Sequence, residues 1–387
     1  MDGLFLNRIM GRWRERKEVM KLSDIKSPSH LREGVTTGTC AAAAVRASVQ
    51  WQISGQCPEN VRVDTPAGKT LCLSIVQEEF PACGVIKDAG DDPDVTDGCE
   101  VIARVRLSEE AGPVRFKAGE GIGHVTRPGL KLPVGEAAIN PVPRRMIEEE
   151  IRRCVGDIGA EVEISIPGGE ALAARTFNPR IGIEGGLSIL GTSGIVRPMS
   201  ESAVVESLKT CLSVAAASEP EYVCFVLGET GERRMREWLI QQKKDMSRME
   251  FVQISNYAGL MLDEASRLNV KKILIGGFAG KLVKLAADIM NTHSHVADGR
   301  METICTFAAL AGAEQQVIRQ LYECRTVREA VQILRTHDME YIWDAIGDRA
   351  AEKCRLRMGG TGDVAVVFLD ESGGLLGKSR NTEAITG

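Results

Sequence analysis

The sequence predicts an α+β N-terminal domain with a mixed or antiparallel sheet over residues 31–196. A smaller α/β domain with a mainly parallel four-stranded sheet follows over residues 197–387. Three observations lead there. Strand-like runs cluster in the first half with few helices between them, strand and helix patterns alternate from about residue 197, and 387 residues exceed one typical core. Hydrophobic residues at 43% and charged residues at 26% exclude a disordered chain. The 40 glycines and only 4% aromatic residues favour close backbone contact with ligands over stacking surfaces.

From Thr36, TTGTCAAAAVRASVQW reads as a helix with Thr39 as a cap, four alanines raising its propensity, and an N-terminus offering amides to an anion. Alternating runs then predict strands at 61–66, 70–80, 100–107 and 114–118. Pro143 suits the first turn of a helix over 143–155, and EVEISIP with Gly168, Gly169 and EALAARTF predicts a hairpin at 161–177. In the second half, strands at 223–228, 251–255, 272–277 and 364–369 alternate with helices at 231–243, 258–268 and 279–290. The stretch 300–357 reads as wholly helical. The glycine-rich segment 181–198 joins the halves.

A formal net charge of −5 argues against nucleic acid as the main partner. Any anionic ligand must therefore be met by a local cluster. Eleven scattered cysteines, without a Cys-x-x-Cys pair or a nearby histidine, argue against a thiolate zinc site and suit reduced thiols in a cytoplasm. No apolar run approaches the ~18 residues of a membrane span. In residues 1–30 the apolar Leu4, Phe5, Leu6 and Ile9 precede the basic Arg12, Arg14, Arg16 and Lys17, the reverse of a secretory signal, so these residues read as a flexible extension.

Four motifs carry chemistry. Gly119-Glu-Gly121-Ile-Gly123 follows a strand, but prolines 128, 133, 141 and 143 deny it the helix a dinucleotide fingerprint requires. Residues 119–145 read instead as a long extended loop carrying His124, Arg127, Lys131, Arg144 and Arg145. Lys87-Asp88 opens an acidic stretch with Asp91, Asp92, Asp94 and Asp97, which a solvated turn explains better than a cation site. Gly228-Glu229-Thr230-Gly231, Ser255-Asn256-Tyr257 and Gly276-Gly277-Phe278-Ala279-Gly280-Lys281 end three parallel strands, on the rim where open α/β sheets place ligands. Asn291-Thr-His293-Ser-His295-Val-Ala-Asp298-Gly-Arg300 gathers two of five histidines beside an acid and a base. It reads as a polar constellation for substrate rather than a metal site.

The runs GVTTGTCAAAA (34–44), KDAGDDPDVTDG (87–98), GEGIGHVTRPGL (119–130), LPVGEAAINPVPRRMI (132–147), FNPRIGIEGGLSILGTSGIVRPMS (177–200) and GKLVKLAADIMNTHSHVADGRMETI (280–304) resemble the CbiD family of the anaerobic cobalamin pathway. The resemblance covers about residues 31–387. Phe278 departs from it, standing where many members have histidine before the Gly-Lys. The resemblance implies a cobalt-precorrin-5B C1-methyltransferase, moving the methyl group of S-adenosylmethionine to C1 of a ring-contracted cobalt corrinoid to give the 6A intermediate. Cobalt enters only as part of the substrate. A two-domain fold and a possible homo-oligomer go with it, and no membrane or nucleic-acid partner.

The sulfonium is already activated and the acceptor is an electron-rich ring carbon. The protein's main task is then alignment, with the reacting atoms about 3–3.5 Å apart. The expected donor contacts are Gly228, Thr230, Gly231, Ser255, Asn256, Gly277 and Gly280. The substrate's carboxylate arms are expected on Thr36, Thr37, Gly38, Thr39, Lys87, Asp88, Gly121, Gly123, Arg127, Lys131, Arg144, Arg145, Arg180, Lys281 and Arg300. His293 or His295 is expected to hydrogen-bond the macrocycle or to handle a proton after methylation. A non-catalytic tetrapyrrole carrier would use the same basic groups without a donor pocket. A phosphotransferase would need a phosphate loop opening a helix, which the prolines after Gly123 disfavour.

Overall fold

A computed structural model describes residues 31–387, and the expected extension 1–30 lies outside the described residues. The chain forms two compact units that are not contiguous in sequence. One holds the described residues up to Ile122 with Ile139–Leu172 and Leu187–Ser200; the other holds Gly123–Ala138, Ala173–Gly186 and Glu201–Gly387. This differs from a single boundary at 196/197.

The first unit is built on helix α1 (Thr37–Ser54). Thr36, not Thr39, is its N-cap and accepts the Thr39 amide, while Gly55 closes it at φ 74° with its N–H on the Trp51 carbonyl. Ala41 to Ala44 are fully buried, because only small side chains let the helix lie this close to its neighbours. Strands β1 (Asn60–Asp64) and β2 (Thr70–Ser74) form a hairpin. A five-stranded sheet runs in the order 76–77, β3 (Cys83–Ile86), β4 (Glu100–Ala111), β6 (Ile158–Ser165), β5 (Val114–Ala118). Neighbours are antiparallel except β5 and β6, so the sheet is mixed, as expected. On β4, Val101, Ala103 and Val105 are buried at a period of two.

Helix α2 starts at Pro141 and ends at Val155. The hairpin expected at 161–177 is corrected. Strand β6 is paired on both edges, by β4 and β5, and so has no free edge for a return strand. After a turn at Gly168 the chain forms the short helix α3 (Gly169–Ala173), where Ala and Leu keep their local preference.

In the second unit, helix α4 (Glu201–Ala217) precedes strand β7 (Tyr222–Val226), helix α5 (Glu229–Gln241), strand β8 (Met249–Gln253), helix α6 (Ala258–Arg267), strand β9 (Lys272–Phe278) and helix α7 (Ala279–Ala286). Four helices fill the stretch expected to be helical: α8 (Arg300–Leu310), α9 (Gln315–Glu323), α10 (Val327–Thr336) and α11 (Ile342–Arg357). Strands β10 (Asp363–Leu369) and β11 (Leu375–Lys378) and helix α12 (Thr382–Thr386) end the chain.

The sheet order is β8-β7-β9-β10-β11, with four parallel strands and an antiparallel fifth. The expectation of four strands is thus corrected by β11. Its four residues are too short to show a period, and they are returned by a turn in which Asp370 Oδ1 accepts the Ser372 and Gly374 amides at 2.9 Å each. This unit is also the larger of the two, not the smaller: Glu201–Gly387 alone outnumbers the first unit, and the two excursions 123–138 and 173–186 add to it. These pair through a short ladder, Ile183 with Val125 and Glu184 with His124. They are bound to β8 by Arg127–Glu250 at 2.5 Å and to helix α5 by Arg180–Glu232 at 2.8 Å.

Candidate functional site at the switch point of the parallel sheet

From β7 the chain moves to β8 on one side, then crosses back to β9 on the other. Right-handed crossovers in opposite directions put their helices on opposite faces. Met235, Trp238 and Leu239 of α5 accordingly pack with Cys224, Val226 and Leu274. Met261, Leu262 and Ala265 of α6 pack with Val223, Phe225, Ile273 and Ile275. The chain therefore leaves β7 and β9 in opposite directions at the carboxyl ends of the strands, the position at which open α/β sheets place ligands.

Glycines line both loops. Gly228 (φ 92°) and Gly277 (φ 143°) have backbone angles that side chains rarely accept. Gly231 and Gly280 differ: they lie in the first turns of α5 and α7, their φ is not positive, and a Cβ on either would meet nothing within 4 Å. Neither backbone nor packing requires glycine there. Such positions leave helix N-termini open to the close approach of a ligand.

Beside this rim, Ser255 adopts φ 50° and turns the chain so that Asn256 joins three segments. Asn256 Oδ1 accepts from Lys281 Nζ at 3.0 Å and from Thr292 Oγ1 at 3.3 Å, and its carbonyl accepts the Thr292 amide at 2.9 Å. The following turn presents His293 and His295 to solvent, rings edge to face with centroids 4.9 Å apart. The His295 amide donates to His293 Nδ1 at 3.2 Å, so in the neutral ring the proton lies on Nε2. Arg300 forks onto Asp298 at 2.7 and 2.9 Å, which holds the Asp298 carboxyl below its ordinary range and raises the guanidinium.

Residues 24–198 match the family described as CbiD, and residues 291–380 match the CbiD C-terminal domain. The chain is 41% identical over 357 residues to the cobalt-precorrin-5B C(1)-methyltransferase of Alkaliphilus metalliredigens, covering 91% of this chain and 93% of that relative. It is 42% identical over 363 residues to the protein of the same name from Moorella thermoacetica, covering 92% and 97%. This chain belongs to the CbiD family. A crystal structure of the cobalamin biosynthesis protein (cbiD) from Archaeoglobus fulgidus aligns with TM-score 0.37 and 28% identity, over 69% of this chain and 83% of that one.

Several residues that the family resemblance suggested for carboxylate binding are engaged within the protein. The expectation of free amides at the α1 N-terminus is corrected. Gly38 N–H donates to the Leu190 carbonyl at 3.0 Å, Thr39 Oγ1 to that of Gly194 at 2.7 Å, and the Leu190 amide to Thr37 Oγ1 at 3.0 Å. Thr36, Thr37 and Thr39 are buried. Lys87 is buried on Asp94 at 2.8 Å. Asp88 is held by Arg32, whose guanidinium pulls its carboxyl down to about 2. Gly121 and Gly123 are packing positions: a Cβ would lie 2.0 Å from the Ile166 carbonyl and 2.5 Å from Ile183.

Arg127 and Arg180 are neutralised by Glu250 and Glu232, two acids that the sequence reading passed over because they sit far off in the chain. Arg144 donates from Nε to the Ile139 carbonyl at 2.8 Å and lies over Phe116. Lys131 and Arg145 are exposed, Lys131 reaching Glu206 at 3.5 Å. Of the basic residues named in advance, the structure brings only Lys281 and Arg300 together with the histidine turn. A groove of about 970 Å³ in the second unit runs between α8 and α11 past Phe307, Leu310, Arg355 and Arg380 and includes none of the rim residues.

Proposed function

We propose that this chain methylates C1 of cobalt-precorrin-5B with S-adenosylmethionine as donor, giving cobalt-precorrin-6A in anaerobic cobalamin biosynthesis in the cytoplasm. The family and the names of its relatives support the reaction. The single observation that carries the donor site is the pair of helical glycines, Gly231 and Gly280, which neither conformation nor packing requires.

The donor supplies an activated methyl group. Gly228, Thr230, Gly231, Ser255, Asn256, Gly277 and Gly280 form its cradle, with first-turn amides of α5 and α7 available to its carboxylate. Lys281 and Arg300 receive carboxylate arms of the acceptor. Both are partly held by protein acceptors, Asn256 and Asp298, so they are oriented before substrate arrives. His293, with Nδ1 accepting the His295 amide and the proton on Nε2, donates from Nε2 to the macrocycle; the proton released once the ring carbon is methylated goes to Nδ1 as the His295 amide lets go.

The test is incubation of the protein with the corrinoid precursor and methyl-labelled donor, followed by locating the label on the ring. Label on C1 is expected, and label elsewhere or no transfer overturns the reading. His293→Ala is expected to lower kcat by about 10²-fold or more, the usual scale for general acid–base groups. Unchanged turnover removes that role.

A further inference from the structure

Lys284 is a buried lysine that the reaction as described does not use. It lies on α7 with only 3% of its surface exposed, among Leu282, Val283, Leu285 and Ala286, which are all buried. Burial lowers its pKa against the opposing charge of Asp298, which is itself paired with Arg300, and among the described residues no carboxylate forms an ion pair with Lys284. Its Nζ instead donates to two backbone carbonyls, Thr292 at 3.1 Å and Ala297 at 2.7 Å.

A core position of this kind would be served at lower cost by leucine or methionine, since removing an ammonium from water is unfavourable unless specific partners compensate. The partners here are the two feet of one arch. Residues 292–297 rise between them and carry His293 and His295, both exposed. The first foot is tied a second time, through the Thr292 amide to the Asn256 carbonyl at 2.9 Å. The arch is thus fixed to α7 beneath it and to the 255–257 turn at the rim. Among the described residues, Lys284 is the side chain that bonds to both feet.

We propose that Lys284 is a positioning residue for methyl transfer: by holding the Thr292 and Ala297 carbonyls it sets the place of His293 relative to the rim. This rests on the role given above to His293.

The test compares the wild-type protein with Lys284→Met, which keeps the apolar stem and removes the donors, and Lys284→Gln, which keeps a shorter donor. In Lys284→Met, kcat is expected to fall about ten- to a hundredfold, the scale on which a misplaced group loses rate. Affinity for S-adenosylhomocysteine by calorimetry should stay within about twofold, because the rim glycines are untouched. Hydrogen exchange of the 291–299 amides should accelerate, and Lys284→Gln should lie between the two proteins in both readings. A wild-type kcat in Lys284→Met overturns the inference, as does a loss of S-adenosylhomocysteine affinity parallel to the loss of rate. If Lys284→Met does not fold, Lys284→Gln decides by the same readings. Failure of the functional reading shows separately, as absence of methyl transfer in the wild type. Exchange of the arch then decides, and unchanged protection in the variants removes the clamp.

Discussion

Glycine in a helix costs up to about 1 kcal/mol relative to alanine. Gly231 and Gly280 bear that cost at one rim with no steric reason in the protein itself. Replacing either by alanine is expected to raise stability by about 0.5–1 kcal/mol. Leucine at the same positions should leave thermal stability near wild type and abolish S-adenosylhomocysteine binding. A leucine variant that binds normally removes the rim as the donor site. The thiols divide as sharply. Burial pushes Cys40 and Cys354 up to about 12, whereas Cys72 is exposed on β2. Thiolate is the reactive form, so iodoacetamide near pH 8 should label Cys72 before either of the others, read by peptide mass spectrometry. The rim glycines were visible in the sequence because turns after strands concentrate such residues. Lys284 was not, because a lysine among Leu and Val on an amphipathic helix looks like a solvated face until the chain folds over it.

At the scale of elements, ion pairs fix the excursions 123–138 and 173–186. Arg127 and Glu250 are each about a third exposed, so their pair lies between the surface and buried limits. Arg127→Met should cost about 1–2 kcal/mol in urea unfolding, and the double variant with Glu250→Met should cost less than the two singles combined, since no charge is left unpaired. Helix α12 gives a pH dependence. Lys378 and Lys244 hold the Glu383 carboxyl at about 2, below its ordinary 4.5. A depressed carboxyl stabilises the fold above its unfolded pKa, and that stability is lost as pH falls from about 4.5 towards 2. Glu383 is 59% exposed, so the effect stays below about 1 kcal/mol. Glu383→Gln should remove this part of the acid sensitivity and change little below pH 2, as followed by acid titration of stability.

For the whole molecule, donor binding at the rim predicts a selective footprint. With S-adenosylhomocysteine at about a hundred times its Kd, the second unit gains about 2.7 kcal/mol. Exchange should slow at 228–231, 255–257 and 277–281 while β3, β4 and β6 of the first unit keep their rates. Protection confined to the first unit would place the donor elsewhere. Strand–helix alternation after residue 197, the helical stretch 300–357, the rim glycines and the histidine turn could all be read from the chain, because each is written in short-range periods and turn chemistry. The family was legible on the same ground, in blocks of consecutive residues. Membership of 123–138 and 173–186 in the second unit, the fifth strand β11, the loss of the 161–177 hairpin and the internal pairing of Arg127, Arg180 and Lys87 were settled only in three dimensions. A charge shows its sign in the sequence but not its partner, and a strand shows its period but not whether both its edges are already taken.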